Sequence, residues 1–442
     1  METWAVQDSR AAYVAAGDAE YGTFKDSLRA PVHRWFKYPA GYSYRFVEAK
    51  ILQYGLNSEH WILDPFVGCG TTSVEAKRHG VNSIGVEAHP FVYWVARTKT
   101  DWTVGVQEIA SAYHAVMAKA EAILASEGVS IEDLPELVRK CYSPGNLLKL
   151  LAIRNAIRDE VLSDRVRAFL DLALTDTLRN ASKAATGWPY IAPNKIHERA
   201  VEKDAVAEFR LQVRRMIDDL QFMQMFYGQK GVQCILIHGD ARQRHSAIRP
   251  GSIDLAITSP PYLNNYDYAD RTRLETYFFG WFKTWGEITQ QVREQLIMSA
   301  TTQVRREAFG AHGGLSPEVE AANPEVFKEL VAKIGELSER RMEKGGKKSY
   351  DFMVAGYFND MLTVLQRVFE ALKRGSDFVL VLGDSAPYGV YVPTHEYLAR
   401  LALGLGFSSW TVEELRTRGE KWRENPQRHR VKLKEVVLTL TK

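Results

Sequence analysis

Short apolar runs that feed directly into helical patterns are the strongest constraint on how this chain folds. Trp61–Leu63, Ser83–Val86, Cys234–Ile237, Ile253–Thr258, Phe378–Gly383 and Glu435–Leu440 have the length and apolar character of buried strands. Several of them lead into helical segments, which implies βαβ units, a mainly parallel sheet and an α/β fold. Between the second and third runs, about 101–229 reads as helical throughout. Ile109, Tyr113, Val116, Met117, Ala120 and Leu124 share one helical face there, and Leu147–Asp159 and Ala205–Met225 are patterned alike. A second insertion, about 263–350, opens aromatic-rich and closes on the basic stretch Arg340–Lys348, expected to be a surface loop. The chain therefore reads as a sheet domain interrupted twice. Its parts are an N-terminal segment with half of the core (1–100), a helical insertion (101–230), and the other half of the core (231–442).

Composition narrows the class without naming a partner. The 442 residues are 45% hydrophobic and 25% charged, which excludes disorder as the dominant state. Lys and Arg number 57 against 54 Asp and Glu, a net charge of +3, too small to imply nucleic acid by itself. Cys69, Cys141 and Cys234 form neither a disulfide framework nor a C-x-x-C pair, and the histidines share no ligand spacing, so no metal site is expected. The first residues lack the apolar core of a signal peptide, and no run reaches the ~18–20 residues of a membrane span. A cytoplasmic protein without a membrane partner is expected.

The run Trp61–Leu63 continues as Asp64-Pro65-Phe66-Val67-Gly68-Cys69-Gly70-Thr71-Thr72 into a helix that ends at Gly80 in C-cap position. Glycines let backbone approach a ligand closely, and a helix N-terminus offers free N–H groups. The next strand ends at Glu87, where an acid can accept hydrogen bonds from a ribose diol. The dinucleotide fingerprint G-x-G-x-x-G fails at Ser73, and no Lys follows the glycines as a phosphate loop requires. A tight strand-to-helix connection without a ligand remains open at this point.

The fourth run ends in Ser259-Pro260-Pro261-Tyr262. Two prolines do not fit inside the ladder of a central strand, so they lie beyond it and stiffen the backbone. A rigid carbonyl, a hydroxyl and an aromatic ring then stand at the carboxyl end of a strand, where open α/β sheets bind ligands.

With both loops in view, the chain resembles the S-adenosylmethionine-dependent amino-methyltransferases of DNA. These carry an F-x-G-x-G cofactor loop, here Phe66–Gly70, and a [DNS]-P-P-[YF] catalytic loop, here Ser259–Tyr262. The serine variant looks like the N4-cytosine subgroup, whereas Asp and Asn variants are more usual in N6-adenine enzymes. The resemblance implies a Rossmann-like class I methyltransferase core with a mixed, mostly parallel seven-stranded sheet, plus the helical insertion. It implies S-adenosylmethionine bound by Tyr38, Pro39, Asp64, Phe66, Gly68, Gly70, Thr71, Glu87 for the ribose and Asp240 near the adenine amine. Ser259, Pro260, Pro261 and Tyr262 become the catalytic loop, with Ser259 and the Pro260 carbonyl accepting from the target amine and Tyr262 stacking on the base. The large insertion follows the ribose acid, unlike the family's common arrangements, so its role as target reader is inferred from position alone.

The implied partner is double-stranded DNA with the target cytosine flipped out, because a paired amine is out of the cofactor's reach. Asn265, Tyr268 and Arg271, just past the catalytic loop, are candidates for the base pocket and its flanking phosphates, as is Arg273 for the latter. The alternative is that these arginines pair with Asp270 and Glu275. Phe278–Phe282 reads as core. Arg179, Lys183, Trp188, Tyr190, Asn194 and Lys195 suit either groove reading or a surface connector. Basic residues from Arg416 through Arg418, Lys421, Arg423, Arg428, Arg430, Lys432 and Lys434 suit phosphate contact. No nuclease motif is present, so any restriction endonuclease is expected to be a separate chain. An N6-adenine enzyme, an RNA base methyltransferase and a catalytically inactive DNA-binding relative remain as alternatives. The recognition sequence and the oligomeric state are not legible.

Overall fold

The computed structural model describes residues 21, 23–38, 41–126, 128–185, 190–196, 202–228, 231–305, 307, 314–418 and 432–442, the side chains of 185, 193–196 and 418 excepted. Its centre is a sheet of β1 (Trp61–Asp64), β2 (Asn82–Glu87), β5 (Cys234–His238), β6 (Ile253–Thr258), β7 (Leu372–Gly383), β8 (Ser409–Arg418) and β9 (Leu433–Thr441). The strands lie side by side as β5-β2-β1-β6-β7-β9-β8, seven in all. β1 pairs in parallel with β2 and β6, β2 with β5, and β6 with β7, while β9 runs antiparallel to both β7 and β8. The six apolar runs of the sequence each coincide with a strand. β8 was not anticipated: it lies at the sheet edge with nearly all of its residues exposed, Trp410, Val412, Glu413, Glu414 and Arg416 among them, so no buried face marks it. The small hairpin β3 (Ala184–Ala185) and β4 (Ala192–Ile196) belongs to the first insertion.

Apart from Cys234–Ile237, which forms the partly buried edge strand β5, the apolar runs form central strands because both of their faces are covered. Ile253, Leu255, Ala256 and Ile257 of β6 and Phe378–Leu382 of β7 are all buried. The glycine turn then leads from β1 into α2 (Thr71–His79), after α1 (Tyr44–Gln53) has covered one face. Gly80 ends α2 in the left-handed conformation (φ 73°), its N–H reaching back to the Ala76 and Lys77 carbonyls, as its C-cap position implied. α3 (Pro90–Thr100) starts on Pro90, capped by the His89 imidazole accepting from the Phe91 amide at 3.2 Å.

The first insertion is helical, with α4 (Val106–Ala125), α5 (Pro144–Asp159), α6 (Asp164–Asn180) and α7 (Ala205–Tyr227). Ile109, Tyr113, Val116, Met117 and Ala120 of α4 are buried along the expected face. This insertion shares one apolar cluster with Trp35 and Phe36 upstream, with Phe91 and Val95 of α3, and with Leu274 and Phe278 of the second insertion. It is docked against the core rather than hung from it. In the second insertion α8 (Pro324–Glu343) packs on α9 (Tyr350–Ala371) through Val326, Leu330, Ile334 and Leu337. The stretch expected as a loop from Arg340 instead begins as the last turn of α8. Arg341 pairs with the buried Asp351 at 3.0 Å, and Arg340 donates to the Tyr388 carbonyl at 2.6 Å. No helix among the described residues is long and apolar enough to cross a membrane.

Candidate active site

A cavity of about 790 Å³, counting its open mouth, lies at the carboxyl ends of β1, β2, β5 and β6. This is where the strand order reverses direction between β1 and β6, the switch point at which open α/β sheets take ligands. Tyr38, Phe66, Gly68, Thr71, Glu87, Asp240, Ser259 and Tyr268 all line it, so these residues, distant in sequence, come together around one cavity. Pro39 lies outside the described residues.

The glycine loop is built by backbone that other residues reach at a cost. Gly68 and Gly70 have φ of 53° and 93°, the left-handed region that favours glycine. A Cβ on Gly70 would come within 3.4 Å of Ala96 in α3, so the loop lies tight against that helix. The Gly68 amide donates to Glu87 at 3.0 Å and the His89 amide to the same carboxylate at 2.8 Å. Burial nevertheless pushes the Glu87 carboxyl up to about 7, because these two donors do not offset the desolvation of its charge.

Asp64 does not line the cavity. It is 1% exposed, and its oxygens accept from the Thr258 hydroxyl at 2.6 Å, the Phe66 amide at 3.0 Å and the Thr72 hydroxyl. Burial pushes its carboxyl up to about 6 against these four-sided donors, Tyr42 among them at 3.5 Å. The expected cofactor contact is thus replaced by a brace. Asp64 ties the end of β1, where the glycine loop starts, to the end of β6, where the Ser-Pro-Pro-Tyr loop starts.

Asp240 also differs from expectation. It walls the cavity, but both carboxylate oxygens face the Arg242 guanidinium, with Nη2 at 2.6 Å and Nε at 2.9 and 3.0 Å. Its acceptor capacity is largely spent on that bidentate pair.

In the second loop, Ser259 and Pro261 line the cavity. Among the described residues, none hydrogen-bonds to the Ser259 hydroxyl or the Pro260 carbonyl. Pro260 itself is buried beside the wall. Tyr262 turns away toward the C-terminal hairpin, its hydroxyl donating to Glu435 of β9 at 2.9 Å and its amide to the Tyr268 hydroxyl at 3.3 Å. Glu435 is held in turn by Arg416 of β8 at 2.5 Å. Arg416 thereby serves the site's scaffold, and Lys434 pairs with Glu414 at 2.8 Å. Lys421, Arg423, Arg428 and Arg430 lie outside the described residues.

The substrate candidates separate. Tyr268 faces the cavity. Asn265 adopts φ 61°, and its side-chain carbonyl accepts from the Thr301 amide and hydroxyl at 2.8 and 3.0 Å, bracing the second insertion. Arg271 is 4% exposed and donates to the Lys37 carbonyl at 3.2 Å, so it does not present itself to a phosphate. Burial, with Arg179 adding to it, lowers its pKa. Arg179, a groove-reading candidate, is buried as well. It grips Glu275 through Nε and through Nη2 at 3.0 Å, and donates to the Arg271 carbonyl at 2.7 Å. Arg273 pairs with Asp270 at 3.0 Å, as the alternative reading had it. Tyr190 stacks on Tyr266 at 5.6 Å and its hydroxyl accepts from the Asp267 amide at 2.8 Å. The first insertion thus reaches the segment after the catalytic loop. Trp188 lies outside the described residues, as do the side chains of Asn194 and Lys195. Phe278 and Phe282 are core, while Trp281 stays 39% exposed.

Several site residues carried no local signal. His89 lines the cavity and its Nε2 meets the Thr272 hydroxyl at 2.7 Å, joining the loop after β2 to the segment after the catalytic loop. Gln295, Leu296 and Ile297 add a wall from within the second insertion.

A sheet of this order, with its last strand antiparallel and a glycine turn after β1, defines a Rossmann-like methyltransferase fold. Comparison with known proteins narrows the class. A family model described as DNA methylase matches residues 12–97, which include the glycine loop and Glu87. Type II methyltransferase M.BsoBI of Geobacillus stearothermophilus is 23% identical over 436 residues, covering 90% of this chain and 82% of that protein. Type II methyltransferase M.AvaI of Nostoc sp. strain PCC 7120 is 23% identical over 399 residues, covering 87% and 81%. Type II methyltransferase M.MvaI of Kocuria varians is 23% identical over 226 residues, 46% of each chain. Fold, loops and relatives agree in making the chain similar to DNA methyltransferases of the N4/N6 amino class.

Proposed function

We propose that this protein methylates the exocyclic N4 amine of cytosine in double-stranded DNA, using S-adenosylmethionine, at a site-specific target. The observation that carries the reading is the Ser259 hydroxyl, unengaged by the described residues, on the wall of the cavity at the switch point, which it shares with the glycine loop and Glu87. The residues present fit the cofactor in most respects. A half-buried carboxyl at Glu87 awaits hydroxyl donors, the glycine loop leaves room for close approach, and Tyr38, Phe66 and Val67 supply apolar wall.

S-adenosylmethionine supplies an electrophilic methyl group on a sulfonium. The chain's own part is orientation. An aromatic amine is a poor nucleophile because its lone pair is delocalised into the ring. Hydrogen bonds from the amine to the Ser259 hydroxyl and the Pro260 carbonyl favour a pyramidal nitrogen with its lone pair turned toward the cavity. The same acceptors stabilise the positive charge that develops on nitrogen. The proline pair keeps the carbonyl in place, and the Glu435 bond keeps the Tyr262 ring at the end of the loop. The methylated ammonium is acidic, so no tuned general base is required. Extrusion of the cytosine from the duplex brings its amine to the loop.

Incubation with labelled cofactor and duplex DNA, followed by nucleoside mass spectrometry, is expected to yield N4-methylcytosine. N6-methyladenine instead would overturn the base assignment, and label in tRNA but not in DNA would overturn the substrate. The relatives' designation as type II methyltransferases supports pairing with a separate restriction endonuclease.

A further inference from the structure

The second insertion supplies part of the cavity wall. Gln295, Leu296 and Ile297 line it on the side formed by Gly239, Asp240 and Ala241. This wall is held by side chains rather than by regular structure. The Gln303 amide nitrogen donates to the Ile297 carbonyl at 3.0 Å and to those of Arg293 and Leu296 at 3.4 Å. The Gln303 amide oxygen accepts from the Ser299 and Ala300 amides, both at 2.9 Å. Asp360 of α9 takes the Met298 amide at 2.9 Å and the Arg242 guanidinium at 2.8 Å. The segment is thus pinned to the same arginine that occupies Asp240.

That arrangement raises a chemical question. An adenine ring in the cavity needs an acceptor for its amine, and the Asp240 oxygens are engaged by Arg242. Gln295 is exposed and lines the same cavity as Asp240, its backbone carbonyl accepts from the Arg242 guanidinium at 3.4 Å, and its carboxamide makes no hydrogen bond to any described residue. A carboxamide offers an acceptor and a donor side by side, the pattern that matches adenine's amine and N7 but not the two acceptors, O6 and N7, of an oxo purine.

We propose that Gln295 reads the adenine edge of the cofactor and that the Gln295–Ile297 segment completes the adenine subsite. The proposal rests on the cofactor reading above. It makes an insertion outside the sheet core part of the cofactor site, with Gln303 as its positioning residue.

The test is titration calorimetry on the full chain with S-adenosylhomocysteine and S-inosylhomocysteine, in which an oxo group replaces the amine. The native protein is expected to prefer the adenosyl compound by about tenfold or more, the worth of one to two hydrogen bonds. Gln295→Ala should lose that preference while keeping its thermal midpoint, since the residue is exposed and its carboxamide unpartnered. Gln303→Ala should weaken both compounds together, and a variant that binds both as tightly as native refutes the positioning role. A Gln295→Ala protein that keeps the native preference overturns the inference. Equal native binding of both compounds overturns it too, with the cofactor reading intact. A native protein that binds neither removes the cofactor reading and the inference together.

Discussion

Glu275→Gln is the sharpest perturbation of the joint between the helical insertion and the catalytic half. Glu275 is fully buried and is the carboxylate that answers Arg179, which is 8% exposed and projects from α6. Arg271, 4% exposed, has its pKa lowered first by burial and then by repulsion from Arg179, while Glu275 acts to raise it. Two guanidinium groups therefore share one buried negative charge. Glutamine keeps the shape and one acceptor but removes the charge. At about 4 Å and an effective dielectric near 20, one such charge pair is worth roughly 4 kcal/mol. Uncompensated buried cations make the loss about 3–5 kcal/mol. With an unfolding entropy of about 2.1 cal/mol/K per residue over 442 residues, that is a fall of roughly 3–5 °C in the thermal midpoint if unfolding is one transition. Calorimetry on native, Glu275→Gln, Arg179→Met and the Arg179→Met/Glu275→Gln double variant gives the coupling. The double variant is expected to lose less than the sum of the singles, since it leaves one buried cation fewer. Strict additivity, or a Glu275→Gln protein as stable as native, refutes the electrostatic account of this joint.

Other outcomes follow from the cavity. Ser259→Ala should lower label transfer to DNA by about a hundredfold or more, with S-adenosylhomocysteine affinity by calorimetry essentially unchanged; a normal rate removes the proposed role. Ribose hydroxyls donate to a carboxylate, and the Glu87 carboxyl ionises only at about 7. Cofactor affinity should therefore rise by about tenfold from pH 6 to pH 8 and then level off; a flat profile contradicts this. In the ligand-free protein the sign is opposite. Ionising Glu87 costs stability, present in full below about 4.5 and lost as the pH rises through about 7, so Glu87→Gln should raise the thermal midpoint most at pH 8. Gly70→Ala forces a φ of 93° on a residue with a Cβ 3.4 Å from Ala96, and should cost about 1–2 kcal/mol in urea unfolding and raise KM for the cofactor.

Local pattern carried much of the core and of the cavity wall. The apolar runs at Trp61, Ser83, Ile253, Phe378 and Glu435 became strands because two-sided burial leaves a signature in residue type, and the run at Cys234 became the partly buried edge strand β5. The glycine loop was legible because positive φ selects glycine, and the Ser-Pro-Pro-Tyr loop because prolines end a ladder. Strand β8 was hidden because an edge strand needs no apolar face, and its charges read instead as a basic tail.

Charged residues were the weakest ground. A sequence states that Arg179, Arg271, Asp64 and Asp240 are charged, but not which partner each will meet. Arg271 turned inward to the Lys37 carbonyl, Asp64 to Thr258 and Thr72, and Asp240 to Arg242. Some of these partners are far off in the chain, 234 residues for Arg271 and Lys37, whereas Arg242 stands two residues from Asp240 and only the fold turns its guanidinium back onto that carboxylate. Gln295–Ile297 entered the cavity in the same way, through long-range packing held by Gln303 and Asp360. The chain's own pattern determined the sheet, its turn chemistry and the two loops, since these follow from burial and backbone sterics over a few residues. The fate of each charge, and the insertion's share in the cavity, was decided by tertiary packing, because desolvation and pairing depend on neighbours that sequence proximity does not specify.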